Sequence, residues 1–335
     1  MRIGLAYDLK SAVPLELDRP DDALEEYDSP ETVSALAAAI EAQGHSVVML
    51  GGGREFLASI LRERVDMAFN ISEGMGTCRG REAQVPSVLE MLNIPYSGSD
   101  PQCLAICLDK PLTKKLVSMA DVRTPRWELV SGTEQLKTRS WDAFPFPAFV
   151  KPAYEGSSKG ILNGCRVAGK AQLDEVVARL LERYRQPVLV EEYIAGDEIT
   201  VGVVGNSPPE VVGIMRVLPK RDEANFVYSL EVKRDWEVLV DYECPSRLEA
   251  DVLERVASSS LKAFEALGCR DVARVDFRLN REGVPFFLEI NPLPGLNPVS
   301  GDLPIMSQKM GWTYHELIAA ILDAALERYP QCVQG

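Results

Sequence analysis

Histidine is nearly absent from this 335-residue chain, which has only His45 and His315. His45 follows Gln43-Gly44 just before an apolar strand and His315 falls at a helix start. Neither has a triad around it, which argues against a serine or cysteine hydrolase. The seven cysteines, at 78, 103, 107, 165, 244, 269 and 332, form no CxxC pair and read as reduced structural thiols of a cytoplasmic protein. No apolar run is long enough to span a membrane. The segment Met1–Tyr7 reads as a strand entering polar sequence, not as a signal peptide. Two nucleotide fingerprints are also missing. Gly51-Gly52-Gly53 lacks the G-x-G-x-x-G spacing, and there is no G-x-x-x-x-G-K-[ST]. A net charge of −14 argues against a nucleic-acid partner.

What is present is an ordinary globular composition, 46% hydrophobic and 26% charged, long enough for two or three domains. Strands and helices alternate through the first hundred residues, as in an open α/β sheet of the doubly wound kind. Strands are expected at 3–7, 46–50 and 67–71, and helices at 30–43, 56–64 and 82–92, with a loop over 9–28. A second α/β segment begins near Asp109-Lys110, with a helix at 111–119, strands at 125–130, 148–151 and 188–193, and a helix at 171–184. The remainder holds strands at 199–204 and 211–218, a charged segment at 219–241, a helix at 247–267, a hairpin and a final helix at 313–329.

The hairpin is the most informative stretch. Arg274-Val-Asp276-Phe277 and Leu288-Glu289-Ile-Asn291 flank a turn at Asn280–Gly283. Residues i and i+2 of a strand share a face, so Glu289 and Asn291 point one way and Asp276 meets them from the neighbouring strand. Three hard oxygen ligands without histidine or cysteine suit Mg²⁺, usually bound alongside phosphate, and Arg274 places a cation beside the acids. The turn Glu155-Gly156-Ser157-Ser158 after Lys151 is a phosphate-loop candidate, because glycine permits close backbone approach and successive N–H groups form an anion nest. Glu191 and Glu198 bracket Tyr193-Ile194-Ala-Gly, as suits a strand leading to a hinge whose backbone edge reads adenine and whose carboxylate holds a ribose.

These segments, with Ile94–Ser99, Leu108-Asp109-Lys110 and Asn291–Gly295, resemble in order the ATP-grasp ligases, and among them the D-alanine–D-alanine ligases. The resemblance implies a three-domain fold, with an N-terminal domain at 1–109, a central one at 110–198 and a C-terminal one at 199–335. ATP would lie between the last two. It implies that Lys110 and Lys151 hold phosphates under the loop 155–158. Glu191, Glu192, Tyr193 and Ile194 would read adenine, and Glu198 the ribose. Asp276, Glu289 and Asn291 would bind two Mg²⁺ ions, with Mn²⁺ as the alternative metal. Lys233 would touch the γ-phosphate, and Arg274, Ser157 and the Gly295 N–H would serve the reacting centre. Closure of the 155–158 and 225–236 loops would exclude water. The partners implied are small amino-acid-like molecules and a second copy of the chain.

The sequence departs from that family around the substrates. The N-terminal Gly-Gly-x-Ser-x-Glu segment is missing, with Glu25, Glu26 and Glu31 as candidate replacements for its glutamate. Arg234 stands where the ligases have tyrosine, and is expected either to swing in with Lys233 onto phosphate or a substrate carboxylate, or to face solvent on the charged loop Lys233-Arg234-Asp-Trp. The segment Leu296–Asp302 lacks the usual Ser-Leu pair. ATP-dependent ligation is therefore expected, with D-alanine or with other amino acids or dipeptides; a non-catalytic nucleotide-binding module is the other class.

Overall fold

The structure, a computed structural model, describes residues 1–13, 19–162, 164–221 and 226–332. Parts of the expected 9–28 loop and of the charged 219–241 segment lie outside these residues.

Three sheets carry the chain. The first is parallel, with β1 (Arg2–Ala6) between β2 (Ser46–Gly51) and β3 (Met67–Asn70). Its helix at Pro30–Glu41 starts where the sequence says it should: the Ser29 side chain accepts from Thr32 N, and Pro30 sits in the first turn, where a missing N–H costs nothing. The second sheet, in the order β4-β7-β5-β6, is antiparallel and is built from β4 (Trp127–Val130), β5 (Ala148–Pro152), β6 (Arg166–Val167) and β7 (Val188–Glu192). Its core is its own, including Trp141 and Phe144 from the polar-looking stretch before β5.

The third sheet has five antiparallel strands, ordered β10-β9-β8-β11-β12. They are β8 (Glu198–Val204), β9 (Glu210–Pro219), β10 (Val240–Glu243), β11 (Val272–Leu279) and β12 (Pro285–Asn291). β11 lies between β8 and β12 and is almost wholly buried, which its run of valine, phenylalanine and leucine allows. The β11–β12 turn closes with Asn280 N donating to Val284 O at 3.1 Å and Gly283 at φ 67°.

The final helix, Tyr314–Arg328, packs against the N-terminal helix Pro30–Glu41 in a core shared with Val204, Val212, Val272 and Leu303, so the first and third sheets are joined through one apolar interior. Among the elements that escaped the sequence reading are helices at Thr133–Thr138 and Asp302–Lys309, short helices at Leu230–Arg234 and Trp236–Leu239 inside the charged segment, and the strands β6 and β10. Cys103 and Cys107 do share a helix, and Cys269 joins them in the core, with Sγ atoms 3.8 and 3.6 Å apart. No described helix is long and apolar enough to cross a membrane.

Candidate active site

The hairpin register places the expected acids together. Asp276 lies directly opposite Glu289, and Arg274 opposite Asn291, with a bulge after Asp276. Asp276 is held by Arg274 through Nε and Nη2, at 3.1 and 2.9 Å to Oδ2, and by Thr200 Oγ1, which donates to Oδ1 at 3.0 Å from β8. Glu289 pairs with Lys110 at 3.1 Å. Burial alone would raise the Glu289 carboxyl; Lys110, Lys151, Arg274 and Lys233 outweigh it and hold it well below the carboxylate range. The donor set is oxygen only, charged and opposed across two strands, which fits a hard divalent cation. Asn291 differs from its partners: its Oδ1 accepts from Leu293 N at 3.0 Å, and it opens on a neighbouring cavity.

Two cavities meet here. The first lies between the second and third sheets and is lined by Lys151, Ser158, Glu191–Ile194, Glu198, Asp276 and Glu289. The second is lined by Ser157, Arg274, Asn291, Gly295 and the acidic segment 25–28. Lys233 and Asp302 line both. Asp302 is buried, accepts from Tyr228 Oη at 3.0 Å, and lies 3.5 Å from Arg274 Nη1 and 3.9 Å from Lys233 Nζ. Gly295 lines the second cavity, and a Cβ there would meet open space. Ser157 and Ser158 both hold left-handed backbone, at φ 47° and 58°, a costly conformation for residues with a Cβ that is typical of functional loops.

Several expected roles change. Glu191 does not face outward to read a base: its carboxylate bridges Lys114 at 2.5 Å and Lys151 at 2.7 Å, with all three groups buried. Burial raises Glu191, but the two lysines outweigh it and hold the carboxyl below its ordinary value. It therefore aims lysines. Burial brings the Lys114 ammonium down to about 8. Along the hinge, Glu192 N donates to Arg126 O and Tyr193 N to Pro147 O, so those two N–H groups are spent; the Ile194 N–H has no partner among the described residues. Glu198 accepts from Arg278 Nη1 at 2.8 Å, and burial raises its carboxyl.

Glu155 is not turned to phosphate. With Arg81, Glu26 and Lys159 it forms a buried hub: Arg81 Nη2 donates to Glu26 at 2.7 Å and to Glu155 at 3.2 Å, and Lys159 pairs with Glu26 at 2.8 Å. Gly160 N donates to Asp22 at 2.8 Å. The 155–160 turn is thus stapled to the N-terminal segment, and Gly156 lies against Glu26. Lys110 adds a bond from Nζ to Glu155 O at 2.5 Å.

Arg234 does not swing in. Its fork holds Glu25, with Nη2 at 2.5 Å, at a half-exposed mouth of the second cavity. Glu31 is exposed on the helix start, which removes it as a substrate contact. An exposed pair contributes on the order of 0–1 kcal/mol. Arg234→Tyr is therefore expected to keep the KM for ATP within about twofold of wild type and to change the melting temperature little. A tenfold rise in the KM for ATP would put Arg234 on phosphate after all.

Sequence reasoning missed Arg278, Lys114, Thr200, Asp302 and Arg81. Arg278 is two residues from Asp276 on the same strand face, and Lys114 one helical turn from Lys110, so periodicity could have found both. Arg278 binds Ile194 O at 2.7 Å, Gly196 O at 2.8 Å and Glu198, fixing the hinge.

Residues 115–323 match the family described as D-ala D-ala ligase C-terminus. An uncharacterized protein, y4sG, of Sinorhizobium fredii is 35% identical over 304 residues, covering 88% of this chain and 87% of its own. A D-alanine–D-alanine ligase of Aquifex aeolicus is 32% identical over 299 residues, 88% and 94% of the two chains. The crystal structure of a Bacillus anthracis D-alanine–D-alanine ligase complexed with ATP superimposes with a TM-score of 0.75 at 26% identity, covering 99% of each chain. The chain belongs to this family and has its ATP-grasp fold. It is an ATP-dependent ligase.

Proposed function

We propose that this ligase joins the carboxylate of one amino-acid-like substrate to the amine of another through an acyl phosphate, releasing ADP and phosphate. The observation that carries the reading is the pair of cavities sharing Lys233 and Asp302. A nucleotide in the first would present its γ-phosphate to a carboxylate in the second. In this reading Lys151 and Lys110 neutralise phosphate charge, and the 157–158 backbone supplies N–H donors. Ile194 N–H meets the adenine edge, and Glu198 the ribose. Asp276, Glu289 and Asn291 would hold Mg²⁺, which when bound offsets charge on the phosphate oxygens. Catalysis of the transfer is then mainly positioning and charge.

In the second half-reaction an amine attacks the acyl carbon. Arg274, fixed by Asp276 and Asp302, and the Gly295 N–H supply donors for the oxyanion. Leu230–Arg234 and the 155–160 turn cover the join between the cavities and shield the acyl phosphate from water. A nucleotide product assay tests the route. ADP and phosphate should form in equal amounts with the peptide-type product; stoichiometric AMP and pyrophosphate would replace the acyl phosphate by an adenylate.

A further inference from the structure

The second cavity carries more negative charge than its own cations meet. Five carboxylates line it, from Glu25, Glu26, Asp28, Glu73 and Asp302. Glu25 is taken by Arg234, Glu26 by Arg81 and Lys159, and Asp302 by Tyr228 and Arg274. The side chains of Asp28 and Glu73 have no hydrogen-bond or ion-pair partner among the described residues. The remaining residues, 14–18, 163, 222–225 and 333–335, include no lysine, arginine or histidine that could supply a cation. Lys10, on the same wall, is 3.9 Å from Glu25.

Asp8 adds to the imbalance. It is 2% exposed, its Oδ2 accepts from Gly74 N at 2.9 Å, its Oδ1 has no partner, and Asp28 N donates to its carbonyl at 2.9 Å. Burial, reinforced by Asp8, pushes the Asp28 carboxyl up to about 7 against the opposing pull of Lys10. Burial first, then Glu82, Glu26 and Asp28, push Glu73 well above its usual value, against the opposing pull of Arg81. Half-buried carboxylates at a cavity wall, with cations nearby but no direct ion pair or hydrogen bond, are costly to keep charged, and such groups concentrate where a ligand completes them.

The cavity is therefore polarised. Arg274 and Lys233 stand where the carboxylate and phosphate react, and the free acids stand on the N-terminal wall. We propose that the amino-acid substrate is a basic one, whose second cationic group, an ammonium or guanidinium, is received by Asp28 and Glu73. This rests on the ligase reading above and names its substrate class. An alanine-like molecule brings one ammonium, which one carboxylate satisfies, and a methyl group that gains nothing from a second. Two free carboxylates match two cationic groups.

The test compares ADP release with Mg-ATP for lysine, ornithine and arginine against norleucine and alanine, each as both enantiomers. The best basic amino acid should exceed norleucine in kcat/KM by about 100-fold, the effect of a charge-assisted hydrogen-bonded pair. Asp28→Asn and Glu73→Gln should each narrow that ratio by about tenfold. Thermal melting shows whether the variants fold. A carboxyl raised above its unfolded value stabilises fully below the unfolded value of about 4, and that contribution is lost as pH rises through about 7. Asp28→Asn should therefore melt above wild type near pH 8 and level with it near pH 4.

Turnover on neutral amino acids that equals turnover on basic ones overturns the proposal and leaves ligation standing. If no amino acid releases ADP, calorimetry with Mg-ADP present decides. Tenfold preferential binding of lysine or ornithine over norleucine upholds the cationic subsite and removes ligation, and no preference overturns both.

Discussion

Glu289→Gln and Asp276→Asn should each lower ligation by on the order of 100-fold or more at saturating ATP, since in the proposed reading each would remove an anionic group that holds Mg²⁺, whose charge would offset that of the phosphates. The two should differ in stability. Asp276 is answered within the protein by Arg274 and Thr200, whereas Glu289 is answered by Lys110 from the helix at Lys110–Met119. Glu289→Gln therefore leaves a buried lysine against a neutral amide, at a cost of about 1–3 kcal/mol. Because the Glu289 carboxyl is held below its unfolded value, its stabilising contribution is present above the ordinary carboxylate range and is lost as pH falls below it. ADP release at limiting Mg²⁺ checks the activity, and denaturant titration the stability. Near-normal turnover in both variants would take these residues out of the metal site.

The largest stability effect is expected at Arg81. It is 1% exposed and holds Glu26 and Glu155, themselves buried, while Nη1 donates to Tyr154 O at 3.1 Å. Removing one partner of a buried ionic network strands the others, at roughly 3–5 kcal/mol. Arg81→Ala should lose that much and also free the 155–160 turn, raising the KM for ATP; Arg81→Lys should recover part of both. Burial raises the Glu155 carboxyl, yet Lys159 and Arg81 carry it below its ordinary value, so the hub's contribution falls away in acid. A loss under about 1 kcal/mol in urea titration would show that Lys159 alone suffices.

The hairpin was legible because alternation along a strand converts spacing into facing, and the Asn280–Gly283 turn fixed the register. The same alternation set Glu289 and Asn291 on one face with Asp276 on the neighbouring strand, but the pairing of Asp276 with Glu289 was not readable: an unbroken ladder from the turn would set Asp276 opposite Leu288, and the bulge after Asp276 shifts it to Glu289. The hub was not legible: Arg81 meets Glu26 and Glu155 across 55 and 74 residues, and no local period links them. The charged segment 219–241 hid helices of five and four residues, too short for a 3.6-residue pattern to declare itself. The sequence left the place of Arg234 open between ligand and solvent because its charge suits phosphate as well as it suits Glu25, and only the fold brings residue 25 within reach. Asp302 lies at the start of a helix concealed by a proline- and glycine-containing run, and no sequence signal ties it to Arg274.

The apolar interior common to the first and third sheets has a mechanical consequence. Asp271 sits fully buried between Gly98 N, Asn206 and Arg328, immediately before β11, so the strand bearing Arg274 and Asp276 is bolted to the N-terminal body. The second sheet keeps a separate core and meets that body largely through charged and polar bonds, at Lys110, Arg81 and Lys114. Ionic seams can part in water, where cores resist parting. The chain is thus built as an anvil with one jaw: the second sheet is held by a few ionic and polar bonds, while β11 and β12, which carry the reacting groups, are set in the apolar interior of the body.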